Sequence, residues 1–386
     1  MIPHFSSRPF IGLLLPFFLL LTFKTTSGAD QVSVIRIGIL HKTYQAVLKP
    51  LGNFSVSDIQ TGEQKTLNAD EKYLAEASDS QEIKLGPYSF GKQIRLAPME
   101  NNSILTINQK NYRGKFIITA HPEGTLTLVE EINVEDYLAG VLGREMSSHW
   151  PLEALKAQAV ISRTFALKNL GRFNEAGFDL SADNQSQVYG GSDQDDPKFL
   201  QAVQSTQGQV LTYKGNLIST YFHACCGGHT TSAGNVWGKV KSKSLRGVPD
   251  TYCRVSPHYA WKAYLPNLDI MDALQKNGFT LTQVKGIRIW RRDQTGHVLT
   301  LKISSDKKPI VVRANDFRNW IGNTDFRSTL ITQISSTRKG YEFRGRGWGH
   351  GVGLCQWGAK IQAEKGRRYT QILKFYYPDT QVRRLE

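Results

Sequence analysis

An α+β fold, rich in strands and with a few helices around a central groove, is the class this 386-residue sequence predicts. Three observations carry it. Alternating and β-branched runs dominate the first third, two capped helical patterns open the middle third, and short helices and strands alternate from there to the end. No internal repeat is visible at any period between about 20 and 50 residues. No clean linker cuts the chain into independent pieces.

Val34–Leu40, Ser103–Asn108, Lys115–Ala120 and Leu126–Glu130 read as strands, because β-branched residues alternate or cluster between Gly, Asn and Pro breaks. Glu71–Asp79 is the polar interval among them and reads as a loop or a short exposed helix. Asn133 is a helix N-cap, with Glu135 and Asp136 in the first turn of a helix from Val134 to about Gly143. Pro151, at a first-turn position, opens a longer helix to about Phe173. Leu152, Leu155, Ala159, Ala166 and Phe173 fall on one face of it, and Lys156 and Arg163 share another stripe among small residues. Between these helices lies a short connection, Arg144 to Trp150, with Glu145 near its start. Strand patterns return from Gln209 to Phe222. The last third holds a helix over Asp269–Lys276, a hairpin over Gly286–Ile303, a short helix after Asn315, and a strand running into a glycine series. A helix over Cys355–Lys365, stopped by Gly366, follows. The organisation expected is residues 1–29 as an export signal, 30–130 as a strand-rich region, 131–260 as the core catalytic region, and 261–386 as a region closing the groove.

Composition narrows the function. Apolar residues make up 40% of the chain, so a disordered or collagen-like protein is excluded. The 48 Lys and Arg against 33 Asp and Glu give +15, which points to an anionic partner. Arg8, the apolar run Phe10–Phe23 broken by Pro16, and the small residues up to Ala29 form the three parts of a secretory signal. The run is short for a membrane span of about twenty residues. The chain is therefore expected to be exported, to the periplasm or another extracytoplasmic space, and either cleaved near Ala29 or tethered by an uncleaved segment. An exported basic protein has little to do with nucleic acid. Wall polymers and membrane headgroups are the leading anionic candidates.

Two segments stand apart from an ordinary globular chain. One is Tyr137-Leu-Ala-Gly-Val-Leu-Gly-Arg-Glu145-Met, followed by Trp150-Pro-Leu-Glu-Ala-Leu-Lys-Ala-Gln-Ala-Val-Ile-Ser-Arg-Thr-Phe-Ala166. The other is Gly345-Arg-Gly-Trp-Gly-His-Gly-Val-Gly-Leu-Cys-Gln-Trp-Gly-Ala359. Its glycines keep a strict period of two. In an extended strand, that leaves one face bare for another backbone or a sugar ring, with Arg346, Trp348 and His350 together on the other. No Gly-Lys-Ser/Thr follows, so it is not a phosphate loop. Tyr221 and Trp237 suit either core packing or sugar stacking, and Gln356 suits either packing or a sugar hydroxyl.

These segments resemble the stage II sporulation protein D family, which includes the amidase-enhancer proteins. Gln187-Val-Tyr-Gly190, Tyr221-Phe-His-Ala-Cys-Cys-Gly-Gly-His-Thr230, Val236-Trp-Gly238, Val248-Pro-Asp250 and Tyr376-Tyr-Pro-Asp379 match in the same order, over roughly residues 33–380. The resemblance implies a lytic transglycosylase acting on peptidoglycan glycan strands denuded of stem peptides, in wall remodelling during division or sporulation, with Glu145 as the catalytic acid. One carboxylate suffices where the substrate's own C6 hydroxyl replaces water. Lys156, Arg163, Tyr221, His223, His350 and Gln356 are the substrate-binding candidates, lining two sides of one groove. The alternative is a non-catalytic wall-binding protein that enhances an N-acetylmuramoyl-L-alanine amidase, which is then a partner along with other division or wall-remodelling proteins. A basic scaffold without glycan contact fits the charge but not the motifs.

The chain has four cysteines. In an oxidising compartment they predict disulfides joining Cys225 or Cys226 to Cys253 or Cys355. His223, Cys225, Cys226 and His229 are the rival reading, a zinc cluster. Some clostridial members of the family bind zinc through His and Cys just before the Gln-Val-Tyr segment. Here that stretch reads Asp179-Leu-Ser-Ala-Asp-Asn-Gln-Ser186, so no metal and no cofactor is expected.

Overall fold

Two sheets, antiparallel throughout except where Leu180–Ser181 joins Val34–Thr43 in parallel, are built almost wholly from the first third of the chain. The computed structural model describes residues 34–101, 103–193, 196–238, 240 and 242–385, and the expected export segment lies outside them. The larger sheet has seven strands in the order Leu180–Ser181, Val34–Thr43, Leu126–Asn133, Lys115–Ala120, Gln93–Pro98, Phe54–Asp58 and Gln64–Leu67. The other has six, ordered Lys110–Tyr112, Ile104–Ile107, Gln45–Leu51, Tyr73–Ala77, Ile83–Leu85 and Tyr88–Phe90. Alternation is the physical cause. Phe116, Ile118 and Ala120 point into the core between polar or partly exposed neighbours. Tyr73–Ala77 corrects the loop-or-helix expectation for this interval. Tyr73 and Ala75 enter the core, and backbone pairing to Gln45–Leu48 outweighs the helix-tolerant composition of Leu74, Ala75 and Glu76.

Helix α1 spans Val134–Glu145, and the Asn133 side chain accepts from the Glu135 N–H at 2.8 Å, as its sequence predicts. Helix α2 spans Leu152–Lys168 and stops short of Phe173 at a turn through Gly171, whose φ is 75°. Every residue from Ala154 to Ala166 except Lys156 is buried. The helix therefore runs through the interior, in contact with α1, with helices α3 (Pro197–Ser205), α7 (Gln356–Glu364) and α8 (Tyr369–Tyr376), and with the strand Gln209–Tyr213. Helices α4 (Ala233–Trp237), α5 (Asn267–Lys276) and α6 (Ala314–Ile321) come between α3 and α7 in the chain. One apolar cluster joins both large sheets to α1 and α2, and a second gathers α2, Cys225, Cys226, Cys253, Cys355 and α8. A third unites the strands Ala260–Pro266, Gly340–Arg346, Val284–Arg292 and Val298–Ser305 with helices near Ile270 and Phe317. Mixed α+β architecture is what the sequence predicts. No helix of the described residues is long and apolar enough to cross a membrane.

The glycine series does not continue the strand. Pairing ends at Arg346, and Gly347, Gly349, Gly351 and Gly353 take φ of 83°, 118°, 78° and 74°. A left-handed residue at every second position curls the chain instead of extending it. Cβ atoms there would strike Cys225 O, the His223 side chain, the His297 ring and Tyr221 O. The close approach is thus chiefly to another stretch of chain, residues 221–231, through its backbone at Gly347 and Gly353 and a side chain at Gly349, and the loop crosses it by bridges Cys225–Trp348 and Thr231–Val352. It then pairs Leu354–Cys355 in parallel with Phe222–His223.

Candidate functional site

Glu145 is the last residue of α1, at the helix end where aligned carbonyls disfavour a negative charge. It is half-buried. The backbone N–H of Val188 and the side chain of Gln356 stand close enough to its carboxyl group to favour the charged form. Gln356 Nε2 also donates to the Glu145 carbonyl at 3.2 Å. Burial pushes the carboxyl up from 4.5 to about 7, against those two groups and the Arg144 charge. Residues from three separated segments, at 145, 188 and 356, therefore meet on one carboxyl group. Val188 lies in the Gln187-Val-Tyr-Gly190 segment that the resemblance singles out, but its contribution is a backbone N–H, which no side chain announces.

The cations expected beside Glu145 are engaged elsewhere. Arg163 corrects the expectation of a substrate contact, because it is wholly buried. Its guanidinium donates twice to Glu135, at 2.8 and 2.5 Å, and once to Gln209 O at 3.0 Å. Lys156 pairs with Glu153 at 2.9 Å and lies 5.9 Å from the centre of the Tyr369 ring. The two residues do not form one stripe toward a ligand. The consequence favours an acid at position 145, since neither cation holds its carboxyl ionised.

Tyr221, His223, Trp237 and His350 form a cluster of rings. Trp237 stands 4.5 Å from Tyr221 and 5.1 Å from His350, and His223 stands 5.5 Å from His350. His223 is buried, with Nδ1 3.2 Å from Val352 O, which corrects its placement as a ligand on an open wall. Burial pushes its ring down to about 4 and that of His350 well below the usual imidazole range. Arg346, Trp348 and His350 do not project together: Arg346 lies over Tyr259, Trp348 packs on His258, and His350 joins the ring cluster. Gln356, also buried, is the member of the glycine segment that reaches Glu145. In this geometry its side chain is turned to the end of α1 rather than to an open wall.

Two partly buried aromatic residues escaped the sequence reading. Trp150 and Trp357 pack edge to face at 5.4 Å, and each adjoins a site segment, Trp150 before α2 and Trp357 directly after Gln356. A depression of about 420 Å³ is lined by Gly143, Met146, His149 and Asp196 among others, beside the end of α1. A basic one, about 480 Å³, lies apart from it and is lined by His229, Arg254, Tyr259, Arg292 and Arg346 among others.

The comparisons with known proteins agree with these segments. Residues 122–213 match the family described as stage II sporulation protein, and residues 230–353 match a domain of unknown function. The stage II sporulation protein D of Bacillus amyloliquefaciens is 30% identical over 66% of this chain and 75% of its own length. The chain belongs to the stage II sporulation protein D family. An uncharacterised protein of Brachyspira hyodysenteriae is 37% identical over 72% of this chain and 74% of its own. The amidase enhancer of Bacillus subtilis is 30% identical over 84% of this chain, which spans about half (53%) of the enhancer's length.

The cysteines also meet, neither joined in the expected disulfides nor gathered with His223 and His229. Cys225, Cys226, Cys253 and Cys355 are buried free thiols. His229 is turned to Thr230 O at 2.6 Å and does not join them.

Proposed function

We propose that this family member is an exported peptidoglycan lytic transglycosylase with Glu145 as its acid and base. The carrying observation is the half-buried Glu145 carboxyl, held near neutrality between the Val188 N–H and Gln356. Glu145 gives its proton to the glycosidic oxygen as the C1–O bond breaks. The carboxylate then takes the proton of the C6 hydroxyl as that oxygen bonds to C1. A 1,6-anhydromuramic end results, the acid is restored, and no water is consumed. A pKa near the working pH suits a group that must both give and accept. The positive excess of the chain and the arginines around Tyr259 support an anionic polymer as substrate.

The name of the Bacillus subtilis relative supports the second reading, a wall-binding enhancer of an amidase. Product analysis separates the two. Purified protein is incubated with intact wall and with amidase-stripped wall, and glycan ends are identified by mass. Anhydromuramic ends from stripped strands, absent with Glu145→Gln, are expected. Wall binding and stimulated amidase activity without such ends would refute the enzymatic reading.

A further inference from the structure

We propose that Cys226, Cys253 and Cys355, with Asp250, form a zinc site that clamps the glycine segment to the rest of the fold. The ligand atoms of these four buried residues all lie within 4.8 Å of one another, and among the described residues no other group of three or more His, Cys, Asp or Glu ligand atoms converges in this way. Cys226 Sγ stands 3.4 Å from Cys253 Sγ. Two sulfurs about 2.3 Å from a tetrahedral zinc are themselves roughly 3.8 Å apart, so little movement is needed. Three thiolates and one carboxylate are a donor set that a borderline-soft, tetrahedral ion accepts.

The surroundings are built for anionic sulfur and oxygen. Backbone N–H groups of Cys226 and Gly358 both point at Cys355 Sγ, each at 3.3 Å. Cys355 caps the N-terminus of α7, where the helix favours negative charge. Asp250 accepts from the Tyr376 hydroxyl at 2.8 Å and from the Tyr252 N–H at 2.9 Å, contacts of the kind that orient a ligand carboxylate. A Cβ on Gly358 would collide with both Tyr376 and Asp250, so the helix can sit on this carboxylate only with glycine there. Cys225 lies alongside, with its Sγ turned to Cys253 O at 3.9 Å, and is the thiol left over.

The four residues come from three segments, after Phe222–His223, around Asp250–Cys253, and at Cys355. Cys355 directly precedes Gln356, so the clamp fixes the residue that touches Glu145. This inference does not depend on which reaction Glu145 performs.

The test is metal and thiol analysis of the full chain purified without chelators. About one zinc per chain is expected, lost together with tertiary structure on treatment with a strong chelator. Alkylation in denaturant with chelator should then label all four cysteines, whereas in denaturant without chelator Cys225 should be labelled ahead of the three zinc-bound thiols; the native protein, in which all four are buried, should resist labelling. Cobalt substitution should give thiolate charge-transfer absorption that weakens in Cys355→Ser and persists in Cys225→Ser. A metal-free folded protein would overturn the site, whether its cysteines proved free or joined by a Cys226–Cys253 disulfide. Zinc retained in Asp250→Asn but lost in Cys225→Ser would overturn the ligand set. Should the ligand variants fail to fold, the wild-type stoichiometry and thiol count still decide.

Discussion

Replacing Glu145 by Gln should stabilise the protein while ending its action on glycan. The carboxyl is raised from 4.5 to about 7 by burial, so the folded chain holds this proton more tightly than the unfolded chain does. Below the unfolded value both states are protonated, and the acid carries no ionic penalty. As pH rises through 4.5 the unfolded chain ionises first, and the folded state loses stability relative to it until about pH 7, where its own carboxyl ionises. Above that the penalty is complete. A displacement of this size corresponds to about 3 kcal/mol, and partial exposure of the side chain trims it to about 2 kcal/mol. Gln keeps the shape and can still accept from the Val188 N–H, but it carries no charge. Urea unfolding followed by tryptophan fluorescence should therefore show Glu145→Gln more stable than wild type by about 2 kcal/mol near pH 8.5, and equal to it near pH 4. The same preparation should release no anhydromuramic ends. A variant no more stable at alkaline pH, or equally stabilised at both pH values, would refute the account of a desolvated acid.

Cleavage by wild type should fall about tenfold per pH unit above about pH 7, as the acid is lost, measured by anhydromuramic release across a pH series. Arg163→Met should cost about 3–5 kcal/mol in urea unfolding, because it leaves Glu135 without its buried partner. Lys156→Ala breaks a partly exposed pair and should cost less than about 1 kcal/mol in the same assay. Gly353→Ala combines a φ of 74° with a collision at Tyr221 O. It should cost about 3 kcal/mol or more, read as loss of soluble protein or a lowered melting temperature.

Local rules in the sequence settled what local physics controls. Asn133 stops α1 at one end because its side chain meets an N–H two residues away, and the alternation at Phe116, Ile118 and Ala120 declares an inner face without any knowledge of the partner strand. Glu145 was legible through the segment around it and the family that segment resembles. Tertiary structure decided the rest. The period that sets Lys156 and Arg163 on one stripe cannot say what α2 packs against, and a helix enclosed on all sides turns Arg163 to Glu135. Alternate glycines signal close approach in the sequence; only the structure shows that they curl with positive φ and meet backbone at Cys225 and Tyr221 and side chains at His223 and His297. The approach of Gln356 to Glu145 agrees with the shared groove expected of their two segments, whereas the part of Val188 was hidden, because a backbone N–H has no residue signature. Residue type and spacing carry secondary structure, capping and motif. The pKa of a carboxyl depends on the water removed from it and the donors brought to it, and long-range packing alone supplies both.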